Sequence, residues 1–303
     1  FKQKTAYEIY QCDWSSDVCS SDLTQRPEDI GYKALAVNLS DLAAAGAIPR
    51  AFFLTIGLPV RDDAWLAGFT KGMTELSRQA GCPLLGGDTT RTAKVGDIHA
   101  PVTISITAMG ELPQSMGLTR AGARPGDDIW VSGCVGGAWA ALMHRWGKLT
   151  LDARVFPSAA LAMDRPNPRN ALGTALLSSA TACADISDGL AQDLGHILER
   201  SGVDADVLWD AVPKHPALAA LSQEQQVEAA MSGGDDYELV FTAPADKRGL
   251  IEQASISALT PVTRIGRIIE KKQSGAPLAI RDASGRPLFL PVQGFDHFAQ
   301  GAD

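Results

Sequence analysis

At 303 residues, with 45% apolar and 20% charged side chains, the chain is long enough for two globular domains. A net charge of −8 argues against a broad nucleic-acid face, and the lack of any run of roughly 18 apolar residues predicts no membrane span. Cys82, Cys134 and Cys183 lie far apart without CxxC spacing, which speaks against zinc; with no signal-like N-terminus, a reduced, cytoplasmic compartment is expected.

DWSSDVCSSDL, residues 13–23, shows neither helical nor strand period. From Pro27, PEDIGYKALAVNLSDLAAAGAIPR predicts a helix with Leu35, Leu39 and Leu42 on one face, stopped by Gly46 and Pro49. AFFLTIGLP reads as a buried strand, and Asp62 or Asp63 can cap a helix running to about Gln79. CPLLGGDTTR reads as a short strand opening into a Gly-Asp turn, and APVTISITAMGEL alternates as another strand. RAGARPGDDIWVSG holds a Pro-Gly-Asp turn before a strand, and a domain boundary is expected there, near Arg120. Beyond it VGGAWAALMHRWG and NALGTALLSSA read as helices, and ACADISDGLAQDLGHILERSG as strand, acidic turn and helix. VEAAMSGGDDYELVFTAP reads as helix, turn and strand, and LAIRDASGRPLFLPV as a terminal hairpin. The fold class this predicts is α+β (mixed α/β), in two similar-sized halves.

Chemistry-bearing residues concentrate at acidic segments: Asp41 in NLSDL, Asp88 in GGDTT, Asp185 and Asp188 in DISDGL, Asp235 and Asp236 in GGDDYEL. Glycines beside an Asp let backbone and ligand approach closely, and hard divalent cations want carboxylate oxygens. In DISDGLAQDLGHIL the turn leads into a helix whose free amides favour an anion, with Asp185 and Asp188 placed to hold a bridging metal. Ordinary turn and cap chemistry accounts for each segment singly, and Asp188 could simply cap its helix. Asp41 has no capping role inside a predicted helix, and periodicity alone leaves it a solvated-face residue or a ligand. There is no GxxxxGK[ST], GxSxG or HExxH pattern, and the five histidines are scattered. Arg120 is an ordinary surface residue or a cation reaching a phosphate.

Taken together, EDIGYKALAVNLSDLAAAGA, LLGGDTTR, LTRAGARPGDDIWVSG, DISDGLAQDLGHI, SGGDDYEL and GFDHF resemble the thiamine-monophosphate kinase family of the aminoimidazole-ribonucleotide-synthetase-like superfamily. The segments stand in the family's order over residues 26–298. The resemblance implies a two-domain synthetase-like fold: 24–120 as an N-terminal ATP- and magnesium-binding, dimerising domain, and 121–303 as the C-terminal domain. It implies transfer of phosphate from ATP to thiamine monophosphate, giving thiamine diphosphate, in a homodimer. By motif match, Asp41, Asp88, Asp185 and Asp188 would ligate magnesium, and Gly87, Asp88, Arg120 and Ser187 would contact ATP. Asp235 and Phe295 would contact thiamine phosphate, with Asp235 standing where the family usually has Glu.

The family also begins with Gly-Asp-Asp and Thr-Asp segments that supply metal ligands, then a substrate-binding His, and residues 1–23 match none of these. DVCSSDL back-translates in frame into something resembling a sequencing-adaptor oligonucleotide, so 1–23 are expected to be an artefactual or disordered segment. Two alternatives follow. One is a non-catalytic relative that binds nucleotide or thiamine phosphate; the other is a sister such as aminoimidazole ribonucleotide synthetase or selenophosphate synthetase.

Overall fold

The structure, a computed structural model, describes residues 25–95, 98, 99, 101–113 and 117–288. Expectations for residues 1–23 and for Phe295 therefore lie outside the described residues. The first helix, α1 (Pro27–Ala44), starts with Pro at N1, where its missing N–H costs nothing, and Gly46 turns the chain at φ 71°. It is buried along nearly its whole length, from Asp29 to Ala43, because it is covered on more than one side.

Strand β1 (Ile48–Leu58) follows, then α2 (Asp63–Ala80), whose N-cap Asp62 accepts from Trp65 N at 2.9 Å. The expectation that Pro49 ends an element is corrected: Pro49 lies at the start of β1, beside a bulge between Pro49 and Ala51, where a missing amide is tolerated. Strands β2 (Leu84–Arg91) and β5 (Thr103–Glu111) flank β1, in parallel and antiparallel fashion respectively. Between them run the two-residue strands β3 (Lys94–Val95) and β4 (Ile98–His99). The expected Gly-Asp turn at GGDTT is also corrected. Gly87 and Asp88 stay in β2, paired with Leu54 and Thr55, and a Cβ on Gly87 would lie 1.8 Å from Leu54 O. Phe52, Ile56 and Ile106 pack inward against Leu35, Leu39, Phe69 and Met73. The helices touch closely, since a Cβ on Gly72 would stand 1.7 Å from Glu28 O.

The second half is a mixed sheet of order β11-β8-β10-β6-β9-β7. Its strands are β6 (Asp128–Ser132), β7 (Ala182–Asp185), β8 (Asp204–Leu208), β9 (Leu239–Ala243), β10 (Val262–Ile269) and β11 (Leu278–Arg281). Helices α3 (Gly137–Arg145), α4 (Phe156–Asp164), α5 (Asn170–Leu176), α6 (Leu190–Ser201), α7 (Gln223–Val227) and α8 (Arg248–Ser257) complete it. The larger core lies between the sheet and α3 and α6, around Ile129, Ile186, Leu194 and Ile265. A separate cluster joins Ala43 of α1 to Leu172, Leu176, Phe241 and Ile251, so α1 is packed by both halves.

Candidate active site

Helix α1 carries the site's first carboxylate and reaches across to the second half. Ser40 Oγ donates to Asp185 Oδ2 at 2.9 Å, at the end of β7. Asp41, next in sequence, is half-buried. Burial, reinforced by the charge of Asp185, pushes its carboxyl up to about 7, against the pull of Arg120. Burial likewise raises Asp185, with Ser40 and Arg120 opposing and Asp188 adding to the rise. Asp185 thus stands between Asp41 of α1 and Asp188 of the following turn, and Asp41 is not on a solvated face.

Asp188 does not cap α6. Gly189 occupies the N-cap, and Asp188 Oδ2 accepts from Gln192 Nε2 at 3.2 Å. Asp193, one turn inside the helix and 1% exposed, instead braces the turn that precedes it. Its Oδ2 accepts from Ser187 N and Asp188 N, each at 3.0 Å. These two amides precede the N-cap Gly189, and the first amides of α6 itself receive no side-chain cap among the described residues. Burial, with Asp185 and Asp188 nearby, pushes Asp193 up to about 8. Asp188, Asp193 and His196 each place an oxygen or nitrogen within 4.8 Å of the others. Asp193 and His196 were missed in the sequence; the available signal was their i, i+3 spacing on α6, just after the acidic turn.

The turn before β9 is laced to the Asp185 turn. Asp235 N donates to Ser187 O at 2.7 Å, Tyr237 N to Ile186 O at 2.8 Å, and Ile186 N to Glu238 O at 2.8 Å. These bonds hold Asp235 and Tyr237 at φ 64° and 52°, a region that costs non-glycine residues free energy. The acids here divide their work. Buried Asp236 accepts from Gly136 N at 2.9 Å, anchoring the start of α3. Glu238 takes Arg169 in a bidentate pair and also accepts from Ser132 Oγ. Asp235 instead faces Lys33 of α1, which is 6% exposed.

Arg120 is exposed, and its charge reaches Asp41, Asp185 and Asp193. Asp88 stands on the exposed strand β2, where its Oδ1 accepts from Thr89 N at 2.8 Å. No hydrogen bond or ion pair joins it to the acidic turns among the described residues. Asp41, Asp185, Asp188, Ser187, Asp235 and Arg120 are therefore linked by bonds or charge, while Gly87 and Asp88 belong to β2.

Residues 7–112 match the family model "AIR synthase related protein, N-terminal domain", and residues 124–278 match "AIR synthase related protein, C-terminal domain". The thiamine-monophosphate kinase of Escherichia coli (strain K12) is 39% identical over 275 residues, 90% of this chain and 81% of that one. The crystal structure of thiamine-monophosphate kinase from Stenotrophomonas maltophilia K279a is similar with a TM-score of 0.81 and 40% identity, over 90% of this chain and 84% of that one. AaThiL complexed with AMPPCP and TMP is similar with a TM-score of 0.75 and 26% identity, over 91% and 82%. With its motifs in order, both halves matched and the acids gathered around α1, the chain belongs to the thiamine-monophosphate kinase family of AIR synthase related proteins.

Proposed function

We propose that the chain transfers the γ-phosphate of ATP directly to the phosphate of thiamine monophosphate, giving ADP and thiamine diphosphate. The observation that carries this reading is the convergence of Asp41, Asp185 and Asp188 where α1 meets the turn before α6. Phosphoryl transfer asks for in-line positioning and charge neutralisation, not for a side-chain nucleophile. The donor set fits magnesium: it is all carboxylate oxygen, and burial with mutual charge raises both Asp41 and Asp185, a cost that a bound cation would relieve. Bound magnesium would act as a Lewis acid on the phosphate oxygens.

In this reading Asp41, Asp185 and Asp188, with Asp88 from β2, hold the metal. Arg120, Ser187 and Gly87 bind ATP, and Asp235 and Phe295 bind thiamine phosphate. The relative described as complexed with AMPPCP and TMP supports both ligands. We also place the domain boundary near Arg120, between the two matched stretches. A homodimer through the N-terminal half is supported by the outer face of its sheet, where Phe53 is 41% and Met109 39% exposed. A cytoplasmic location fits the described residues, in which no helix is long and apolar enough to cross a membrane.

The test is turnover of ATP and thiamine monophosphate with magnesium, read as thiamine diphosphate. Asp188→Asn and Asp88→Asn are each expected to cost at least about 100-fold, a loss of a few kcal/mol of charge stabilisation. Full activity in both variants would overturn the metal assignment. Ligand-induced rises in melting temperature without product would favour the non-catalytic binder.

A further inference from the structure

Lys33 is a residue of the candidate site whose role neither motif nor turn chemistry explains. It lies on α1 seven residues before Ser40, two helical turns and about 10 Å along the axis, so both side chains leave the helix on nearly the same face. The acidic turns meet that face at its two ends: Asp185 at Ser40, and Asp235 at Lys33. The turns are tied together by Asp235 N donating to Ser187 O at 2.7 Å, which fixes the interval between those ends. The other cations here are placed differently. Arg169 is held by Glu238, and Arg120 is exposed, with its charge directed at Asp41 and Asp185.

We propose that Lys33 is the acceptor-phosphate contact and that its pairing with Asp235 is the resting arrangement of a substrate-exchanged ion pair. The proposal rests on the kinase reading for the identity of the substrate. Thiamine monophosphate carries an anionic phosphate and a cationic ring, so it can replace both partners of the pair at once. Its phosphate takes Lys33 and its ring faces Asp235, whose side chain is 34% exposed against 7% for Lys33. A buried cation is thus never left without a counter-charge, before or after binding, which avoids the cost of an unpaired buried charge. An in-line acceptor must lie beside the phosphate held at Asp41, Asp185 and Asp188, and the interval along α1 leads from those residues to Lys33.

The experiment compares thiamine monophosphate with thiamine, which lacks the phosphate, by calorimetry in the presence of AMPPCP and magnesium, and follows steady-state kinetics in parallel. Lys33→Met should collapse the preference for the phosphorylated ligand by about tenfold or more, the loss expected for a charged hydrogen bond. It should raise KM for thiamine monophosphate by a similar factor and leave KM for ATP within about twofold. Lys33→Gln replaces it if the Met variant does not fold. The exchanged pair Lys33→Asp with Asp235→Lys separates a structural bridge from a ligand contact: recovery of wild-type affinity would overturn the proposal, and continued loss supports it. A wild-type protein that binds both ligands equally would also overturn it. If the wild type prefers the phosphorylated ligand but makes no thiamine diphosphate, the kinase reading fails while the role of Lys33 stands.

Discussion

Asp193 commits its carboxylate to two backbone amides, and this fixes where Asp188 can point. With Ser187 N and Asp188 N both at 3.0 Å from Oδ2, the turn cannot rotate without breaking two hydrogen bonds in a buried place. Asp193→Ala is expected to raise the magnesium concentration for half-maximal turnover by about tenfold or more, as loss of a ligand's supporting contact does. Asp193→Asn, whose amide oxygen can still accept, should retain most of the wild-type response. Equal magnesium requirements in the Ala variant and the wild type would refute the positioning role. Asp193 was not legible beside Asp188 because a helical Asp in the first turn has a sufficient local reason to be there, complementing the helix dipole. Only the bonds running back to Ser187 and Asp188 separate the two uses. The same holds for GGDDYEL, where Asp235, Asp236 and Glu238 look alike in sequence yet face Lys33, the start of α3 and Arg169 respectively.

Among the elements, those with strong internal signals were legible. The cap at Asp62, the Leu-lined helix α1 and the strand-turn-helix at DISDGL all follow from side chains a few residues apart. Helix α4 was not read, because it is short, lacks a side-chain cap and opens on Phe-Pro, and Pro157 suggests a break as readily as a first turn. The 3-10 turn Pro216–Leu218 shows how strongly a small element can depend on one cap. His215 is its N-cap, and Nδ1 accepts from Ala217 N at 3.1 Å. The ring is packed hard, since a Cβ on Gly137 would stand 2.9 Å from His215 Cδ2. Burial lowers its pKa below the usual 6.5. Below that value the unfolded chain takes up a proton that the fold resists, so this contribution to stability is present above 6.5 and is lost as pH falls through the lowered folded value. His215→Asn keeps an accepting cap without the titration. Its melting temperature should therefore fall less than that of the wild type between about pH 7 and about pH 5. Parallel curves for the two proteins would refute this account.

At the scale of the whole molecule, the site exists because α1 belongs to both halves. Asp41, Asp185, Asp188 and Asp235 were legible one by one, but their convergence depends on how α1 seats against α5 and β7, and no local pattern encodes that. The seating is close: a Cβ on Gly173 of α5 would lie 1.9 Å from Ala43 O, and Asn170 Nδ2 donates to Leu39 O at 2.8 Å. On the other flank Arg165 joins Asp29 of α1 at 2.6 Å and Glu75 of α2 at 3.0 Å. A methyl at Gly173 must push α5 away from α1, at a cost of about 1–3 kcal/mol for overpacking. The same displacement would draw Ser40 from Asp185 and Lys33 from Asp235, since these contacts all share α1. Gly173→Ala should therefore weaken the thermal stabilisation given by magnesium with ATP, and lower kcat/KM, while the far-ultraviolet circular dichroism stays that of the wild type. Gly249→Ala is the control, because a Cβ there meets nothing within 4 Å, and it should change neither readout. If Gly173→Ala lost stability yet kept its full response to magnesium and ATP, the site would not depend on the seam between the halves. Loss of both in step with the melting temperature of the free protein would mark simple destabilisation. A weakened ligand response out of proportion to that shift is the signature expected of a site assembled across the seam.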